Sequence, residues 1–276
     1  LFIDLDQDDD QDLIVIGEFM GITILENTPQ GFSINKNHDM ASSKGWWNAI
    51  HAADIDGDGD LDFFIGNHGT NSRFRASEKF PIRMYLNDFD LNGAEEGVLT
   101  FKAENGKYFP FALRHNLIDQ VKSLKKKFPD FESFKEADIH VIFSKEQMEG
   151  VQITEVNTLE TQLCRNNGNF SFTQVELPNQ VQFSPVYAIN TADFDQDGDL
   201  DVVMGGNLYN AKPEVGIYDA SYGVYLENKG NATFEFHQDG NGFSLPGQIR
   251  SIQIDEEQMI VARNRDSLKI YTWKKQ

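Results

Sequence analysis

The chain has one cysteine, Cys164, so no disulfide can form within it, although an oxidising compartment is not excluded. It is short of positive charge: 24 Lys and Arg stand against 44 Asp and Glu, a formal net charge of −20. That sign argues against nucleic acid and anionic membrane as direct partners. No apolar run approaches the ~18 residues of a membrane span, so no transmembrane segment is expected here. The six histidines, His38, His51, His68, His115, His140 and His237, are scattered, with no His-x-x-x-His pair for zinc. A Gly-x-Ser-x-Gly elbow, a P-loop and a dinucleotide fingerprint are missing as well. No enzyme is expected. His51 reads as a strand residue, and His68 is the histidine best placed for a functional role.

What the chain does have is one acidic nonapeptide written four times. Its copies run Asp4–Asp12, Asp54–Asp62, Asp88–Glu96 and Asp193–Asp201. Counted from the first residue, positions 1, 3, 5 and 9 are Asp4, Asp6, Asp8 and Asp12; then Asp54, Asp56, Asp58 and Asp62. In the third copy they are Asp88, Asp90, Asn92 and Glu96, and in the fourth Asp193, Asp195, Asp197 and Asp201. Oxygen ligands so spaced around a sharp turn at position 6 suit a hard cation such as Ca2+. Position 7, which is Asp10, Asp60, Ala94 and Asp199, completes the candidate ligand set. Without a cation such a loop repels itself: like charges about 4 Å apart cost roughly 4 kcal/mol per pair at an effective dielectric near 20. Up to four structural Ca2+ are therefore expected, and their eight charges would bring −20 to −12.

An EF-hand is excluded at position 12, where a bidentate Glu is required. The residues there are Val15, Ile65, Leu99 and Met204, inside short apolar runs mostly closed by Gly (Gly17, Gly66, Gly205). Such runs read as buried strands, so the loops are calcium loops in β-hairpins. The second and fourth copies are complete. The first puts Asp9 at the turn, where it must accept a left-handed backbone. The third, with Asn92 and Glu96, is expected to bind more weakly or with altered geometry.

A second unit follows the first: an apolar strand, an Asn-containing turn, then Gly and Phe. It appears as Ile22–Asn27 with Gly31-Phe32, as Leu163–Phe170, and as Val224–Asn228 with Gly230 and Phe234; Met84–Asn87 is a truncated copy. Asn-Gly supplies the positive φ of a tight hairpin. One calcium hairpin plus one turn hairpin makes four strands, a propeller blade. The expected fold class is all-β, a β-propeller with a small helical insertion. Blades are drawn at 1–40, 45–87, 88–180 and 183–246, with closing strands at Ile249–Ile254, Met259–Ala262 and Leu268–Trp273. The whole of 1–276 is read as a single propeller domain, a fragment lacking its N-terminal part, because the strand that should precede the first loop is missing.

Residues 114–150 break the pattern. Leu117, Val121, Leu124 and Phe128 follow a helical spacing, Asp130 can cap a second short helix bearing Phe131 and Phe134, and Ser144–Gln147 is a capping box for a third. The segment is a lid packed for stability or a docking element; the basic run Lys122–Lys127 favours the second on so acidic a chain.

The nonapeptides with their apolar-Gly strands resemble FG-GAP/VCBS repeats, the calcium blades also found in integrin α-chain propellers. Gly45–Asn48, Gly66-Asn67 with Asn71-Ser72, Ser123–Phe128, Phe143–Gln147, Phe183–Val186 and Tyr218–Ser221 are further similar to large VCBS-repeat proteins of the cartilage acidic protein (ASPIC/UnbV) type. The ASPIC segment proper is not evident. The resemblance implies a secreted or lipid-anchored protein at the outer membrane of Gram-negative bacteria, beside SusC/SusD-type TonB-dependent transporters. Modest-affinity calcium loops also point outside the cytosol, where calcium is millimolar. The expected function is a non-catalytic, protein-binding scaffold of an outer-membrane uptake complex, its partner a transporter or surface lipoprotein. The alternative is a calcium-dependent glycan binder or adhesin, and less readily a propeller lyase or hydrolase. Trp46, Trp47, Arg73, Phe74, Arg75, Tyr209, Tyr218 and Tyr222 are its candidate sugar contacts, against blade packing for most of them.

Overall fold

Each acidic nonapeptide turns the chain between two antiparallel strands, and the register is the same every time. The residue before position 1 pairs with position 9: Ile3 with Asp12, Ala53 with Asp62, Asn87 with Glu96, and Ala192 with Asp201. A computed structural model describes residues 1–213, 215–237, 243–255 and 258–272. Trp273, the end of the expected closing strand, lies outside them.

In chain order the strands begin with β1 (Phe2–Ile3), β2 (Asp12–Val15), β3 (Glu18–Gly21), β4 (Thr23–Glu26), β5 (Ser33–Asn35) and β6 (Lys44–Trp46). The first sheet has the order β1-β2-β4-β5, and β3 pairs with β6 in a separate ribbon. The strand expected to be missing before the first loop is therefore present as β1, two residues long. Next come β7 (Ala49–Ala53) and β8 (Asp62–Gly66). Their partners lie beyond a long excursion, at β13 (Gln162–Asn166) and β14 (Phe172–Val175), in a sheet ordered β14-β13-β8-β7. The excursion, Arg75–Thr158, is a compact unit of its own.

That smaller unit holds β9 (Ile82–Asn87), β10 (Glu96–Lys102), β11 (Tyr108–Pro110), helices α1 (Arg114–Gln120), α2 (Leu124–Lys127), α3 (Phe131–Phe134) and α4 (Ile139–Ile142), and β12 (Gln152–Val156). Its sheet runs β11-β10-β9-β12. The expected blades 45–87 and 88–180 are thus corrected. Met84–Asn87 is not a truncated turn unit but part of a central strand, and the helical segment belongs to a larger insertion between β8 and β13. Leu117, Val121, Leu124 and Phe128 are buried with Tyr85, Phe89 and Val98 in one core, as their spacing required. Asp130 caps α3 in a capping box. Ser144 and Gln147 also bond reciprocally, at 3.3 and 3.0 Å, but the residues after them form turns, not a helix. The helix there is α4, capped instead by Asp138.

The larger unit, Leu1–Phe74 with Leu159–Gln276, continues through β15 (Val186–Ala192), β16 (Asp201–Gly206), β17 (Val224–Asn228) and β18 (Phe234–Phe236), one sheet in that order. A three-stranded sheet follows, β19 (Ile249–Ile254), β20 (Gln258–Arg263) and β21 (Lys269–Thr272). Its four sheets pack face on face in series. Phe63 and Ile65 of β8 point towards Ile14 and Ile24 of the first sheet, while Phe64 between them meets Val202 and Met204 of the third. Val203 in turn packs on Ile249, Ile252 and Val261 of the last. Strands buried on both faces must be apolar throughout, which is why β8 and β16 read as continuous runs and not as alternation. The fold is mostly β, in several antiparallel sheets with few helices. Among the described residues no core cluster joins the last sheet to the first, so these sheets do not display a closed propeller ring.

At two strand ends backbone closes on backbone, between sheets at Gly66 and between the paired strands β15 and β16 of one sheet at Gly206. A Cβ on Gly66 would lie 2.6 Å from the Val186 carbonyl oxygen, and one on Gly206 would lie 1.6 Å from that of Pro185. Gly66→Ala and Gly206→Ala are each expected to cost at least the ~1–3 kcal/mol of an overpacked core. The check is the urea midpoint; wild-type midpoints in both variants would contradict these close backbone contacts.

Candidate metal centres

The nonapeptide backbone makes its own cradle. Main-chain N–H groups of positions 4 and 6 donate to the position 1 carboxylate: Gly57 and Gly59 to Asp54 at 2.9 and 3.1 Å, Gln7 and Asp9 to Asp4 at 2.8 and 3.1 Å. Gly93 and Gly198 do the same to Asp88 and Asp193, at 2.8 and 3.2 Å. Position 7 donates to position 5 in every copy, through Asp10, Asp60, Ala94 and Asp199. To wrap so tightly the chain goes left-handed at position 6, Asp9, Gly59, Gly93 and Gly198, and again at position 4, Gln7, Gly57, Leu91 and Gln196. Only the first of these was legible in the sequence. A side-chain-bearing residue held there costs about 1–2 kcal/mol.

This wrapping gathers the carboxylates. Oxygens of Asp4, Asp6 and Asp8 lie within 4.8 Å of one another, as do those of Asp54, Asp56 and Asp58, and those of Asp193, Asp195 and Asp197. In the third loop the trio is Asp88, Asp90 and Glu96, the longer Glu side chain reaching where Asn92 offers no charge. Each loop also buries a carboxylate oxygen that has no hydrogen-bond partner: Asp6 Oδ1 and Asp10 Oδ1, Asp56 Oδ1, Asp90 Oδ1, and Asp193 Oδ1. Orphaned anionic oxygens among other carboxylates are costly unless a cation completes them. The all-oxygen donor set fits Ca2+.

Position 9 also ties the strands together. Asp12, Asp62 and Asp201 are buried, at 1%, 0% and 0% exposure, and each accepts two main-chain N–H bonds. One comes from position 2 of its own loop: Leu5, Ile55 and Phe194, at 3.1, 3.0 and 3.1 Å. The other comes from the Asn of the following turn unit: Asn27, Asn166 and Asn228, at 2.8, 2.8 and 2.9 Å. The two sequence repeats are thereby pinned together. Asn228 then reaches sideways, donating from Nδ2 to the Ile55 carbonyl of the second loop at 2.9 Å. The Gln7 side-chain amide of the first loop bonds Asp60 of the second. In the smaller unit Glu96 accepts from Phe89 at 2.9 Å, and Asn87 donates to the Gln147 and Glu149 carbonyls at 2.9 and 3.1 Å.

The electrostatics follow from this crowding. Burial, then the neighbouring Asp8 and Asp12, pushes Asp6 above the usual carboxylate range. Burial raises Asp195 and Asp201 too, and takes Asp62 to about 6. Arg165 on β13 stands 3.7 Å from Asp56 Oδ2, a partial counter-charge. On β17 the matching residue is Glu227, which with Glu235 and His237 forms a further close group that sequence reading missed. Glu227 and Glu235 face each other across β17 and β18, a pairing that the structure reveals. Lys229 already supplies a cation to both.

The other singled-out residues separate. Trp47 is core, its Nε1 donating to the Met20 carbonyl at 3.1 Å. His51 is a strand residue whose Nε2 lies 2.9 Å from Thr191 Oγ1. Cys164 is buried and its thiol pushed up to about 12, so it is unreactive. Trp46, His68, Phe74 and Tyr218 come together in one aromatic cluster, whereas Arg73, Arg75, Tyr209 and Tyr222 stay exposed.

Protons and Ca2+ should compete for these loops. Asp62 carries its proton to about pH 6 in the folded chain but only to about 3.8 in the unfolded one. Folded protein therefore binds more protons between these values, and stability without calcium should fall as pH rises through that window. Excess Ca2+ should reverse the slope. Melting curves across the window with chelator and with Ca2+ check this; parallel curves would contradict it.

Residues 4–65, which hold the first two loops, β2 to β7 and most of β8, match the FG-GAP-like repeat family. No curated protein matches the chain. An FG-GAP-like repeat is thus shown in the first quarter of the chain, and the same loop geometry recurs twice beyond it.

Proposed function

We propose that the chain is a non-catalytic binding scaffold, a run of FG-GAP propeller blades whose hairpins are held by up to four structural Ca2+. One observation carries this. All four loops, although they differ in sequence and sit in two units, gather three carboxylates and bury an unpartnered oxygen among them. Positions 1, 3 and 5 supply that cluster in three loops, with position 9 joining it in the third. When bound, Ca2+ supplies charge compensation there and no chemistry on a substrate. The chain's own groups set the strand register, tie each loop to the Asn turn and link neighbouring loops.

The scaffold works outside the cytosol, at the cell surface, where calcium is abundant enough for such loops. Its partner is a protein of the outer membrane, a TonB-dependent transporter or a surface lipoprotein. This reading of the partner rests on the resemblance of motifs such as Gly45–Asn48 to the large VCBS-repeat proteins, and Lys122, Lys125 and Lys126, exposed on the smaller unit, offer such a partner a basic contact on an acidic chain.

Removing calcium should lower the melting temperature. Each independent site adds about 2.7 kcal/mol at a hundredfold excess over its Kd. Asp56→Ala and Asp195→Ala should lower the melting temperature without chelator. A melting curve unchanged in excess chelator would sink the calcium assignment, and recovery of the native protein alone from mild detergent would sink the transporter partner.

A further inference from the structure

His68 follows β8, at the end of that strand opposite its acidic loop. Asn67, fully buried, fixes the local backbone by accepting from the Trp46 and His68 main-chain N–H groups at 3.1 and 2.8 Å. The ring of His68 is walled on three sides. Trp46, Phe74 and Tyr218 meet it edge to face, with centroids at 5.1, 5.7 and 4.7 Å. Trp46 also meets Phe74 at 5.1 Å and 89°. Tyr218 comes from the segment after β16, the corresponding end of the neighbouring sheet.

Packing alone does not account for this cluster, because three of its polar atoms are buried without a partner: Trp46 Nε1, His68 Nε2 and Tyr218 Oη. Trp46 and His68 are each only 9% exposed. A purely structural cluster would gain from Phe at all three positions, since each orphaned group costs about 1–3 kcal/mol. The orphans are also a matched set. The indole N–H can only donate, the phenol donates and accepts, and the neutral imidazole offers one more donor or acceptor. None of the three carries charge: burial holds His68 neutral, its pKa lowered to about 4. An uncharged mixture of donors and acceptors between aromatic walls suits neutral hydroxyl groups on a ring with apolar C–H faces. The rim continues the theme. Tyr209 and Tyr222, 38% and 70% exposed, belong to the same segment as Tyr218, and Arg73 lies over the Phe74 face at 5.9 Å.

We propose that Trp46, His68 and Tyr218 form a binding site for a neutral saccharide, closed in this conformation and opened by displacement of Phe74. Phe74 is the half-buried wall and lies within the irregular segment between β8 and β9. The site lies away from the acidic loops, and it does not depend on a protein partner for the scaffold.

The test uses the full chain, labelled with 15N and saturated with Ca2+, and follows the Trp46 indole N–H resonance, assigned by its loss in Trp46→Phe. Neutral methyl glycosides of glucose, galactose, mannose and N-acetylglucosamine are titrated separately, with methyl glucuronide as the charged comparison. A saturable shift with at least one neutral glycoside is expected, lost in His68→Phe and Tyr218→Phe. Both variants should melt at or above the wild-type temperature, since each removes an unpaired buried atom. Should His68→Phe misfold, Tyr218→Phe, which removes a single hydroxyl, decides alone. The proposal is overturned if no neutral glycoside moves the resonance, if only the glucuronide does, or if the shift survives loss of the tyrosine hydroxyl.

Discussion

A buried carboxylate at the ninth loop position is the interaction on which the rest of the larger unit depends. Asp12, Asp62 and Asp201 each hold one main-chain N–H from the second position of their loop and one from a strand further along the chain. A single side chain thus closes a hairpin and recruits the third strand of a sheet. Tyr225 adds its hydroxyl to Asp201 at 3.0 Å. Because charge-assisted bonds to backbone are about twice as strong as neutral ones, the carboxylate fixes the register that the β-strands then propagate. The smaller unit keeps only half of this arrangement. Glu96 closes its hairpin, and Gln147 takes over the outer role by donating to the Phe89 carbonyl at 2.7 Å.

Beyond the ninth position, three of the loops bring the carboxylates of positions 1, 3 and 5 face to face. The left-handed residues at positions 4 and 6 and the mutual repulsion both oppose folding. The orphaned oxygens show that protein groups alone do not offset them. A loop of this kind couples local geometry to whatever cation the surroundings supply. Links such as Asn228 to Ile55 and Gln7 to Asp60 pass that dependence from loop to loop within the larger unit.

The acidic repeat, the Asn turn and the both-faces-buried strands were legible in the sequence because each is a local pattern with a fixed period. The shared register of the four hairpins was implicit in the same spacing. Strand partnership was not legible. Nothing near Gly66 reveals that β8 will pair with β13, since Leu163 and Cys164 meet Phe64 and Phe63 only through long-range packing. Met84–Asn87 misled because an apolar strand ending in Asn looks alike in a central and a turn-forming context. Ser144–Gln147 has helix-capping chemistry, yet Gln147 is drawn to Phe89 and the turn goes no further. The aromatic cluster mixed both outcomes: Trp46 and Trp47 are neighbours in sequence, but alternation sends one to the core and the other to His68.

The insertion between β8 and β13 bears on how the chain finds its fold. Ile65 and Gln162 are register partners although 97 positions apart, so their pairing closes a very long loop. The closure penalty grows only logarithmically, but the search is slow and leaves the apolar edge of β8 exposed meanwhile. Residues 75–158 have their own sheet and core, and a compact insertion brings its two chain ends closer than a random coil would. The Gly69 N–H to Leu159 carbonyl bond at 2.7 Å and the Asn67 N–H to Thr161 hydroxyl bond at 3.0 Å then fasten the point where the chain leaves and returns. Early formation of the insertion would shorten the effective loop, making it an internal folding aid for the sheet it interrupts.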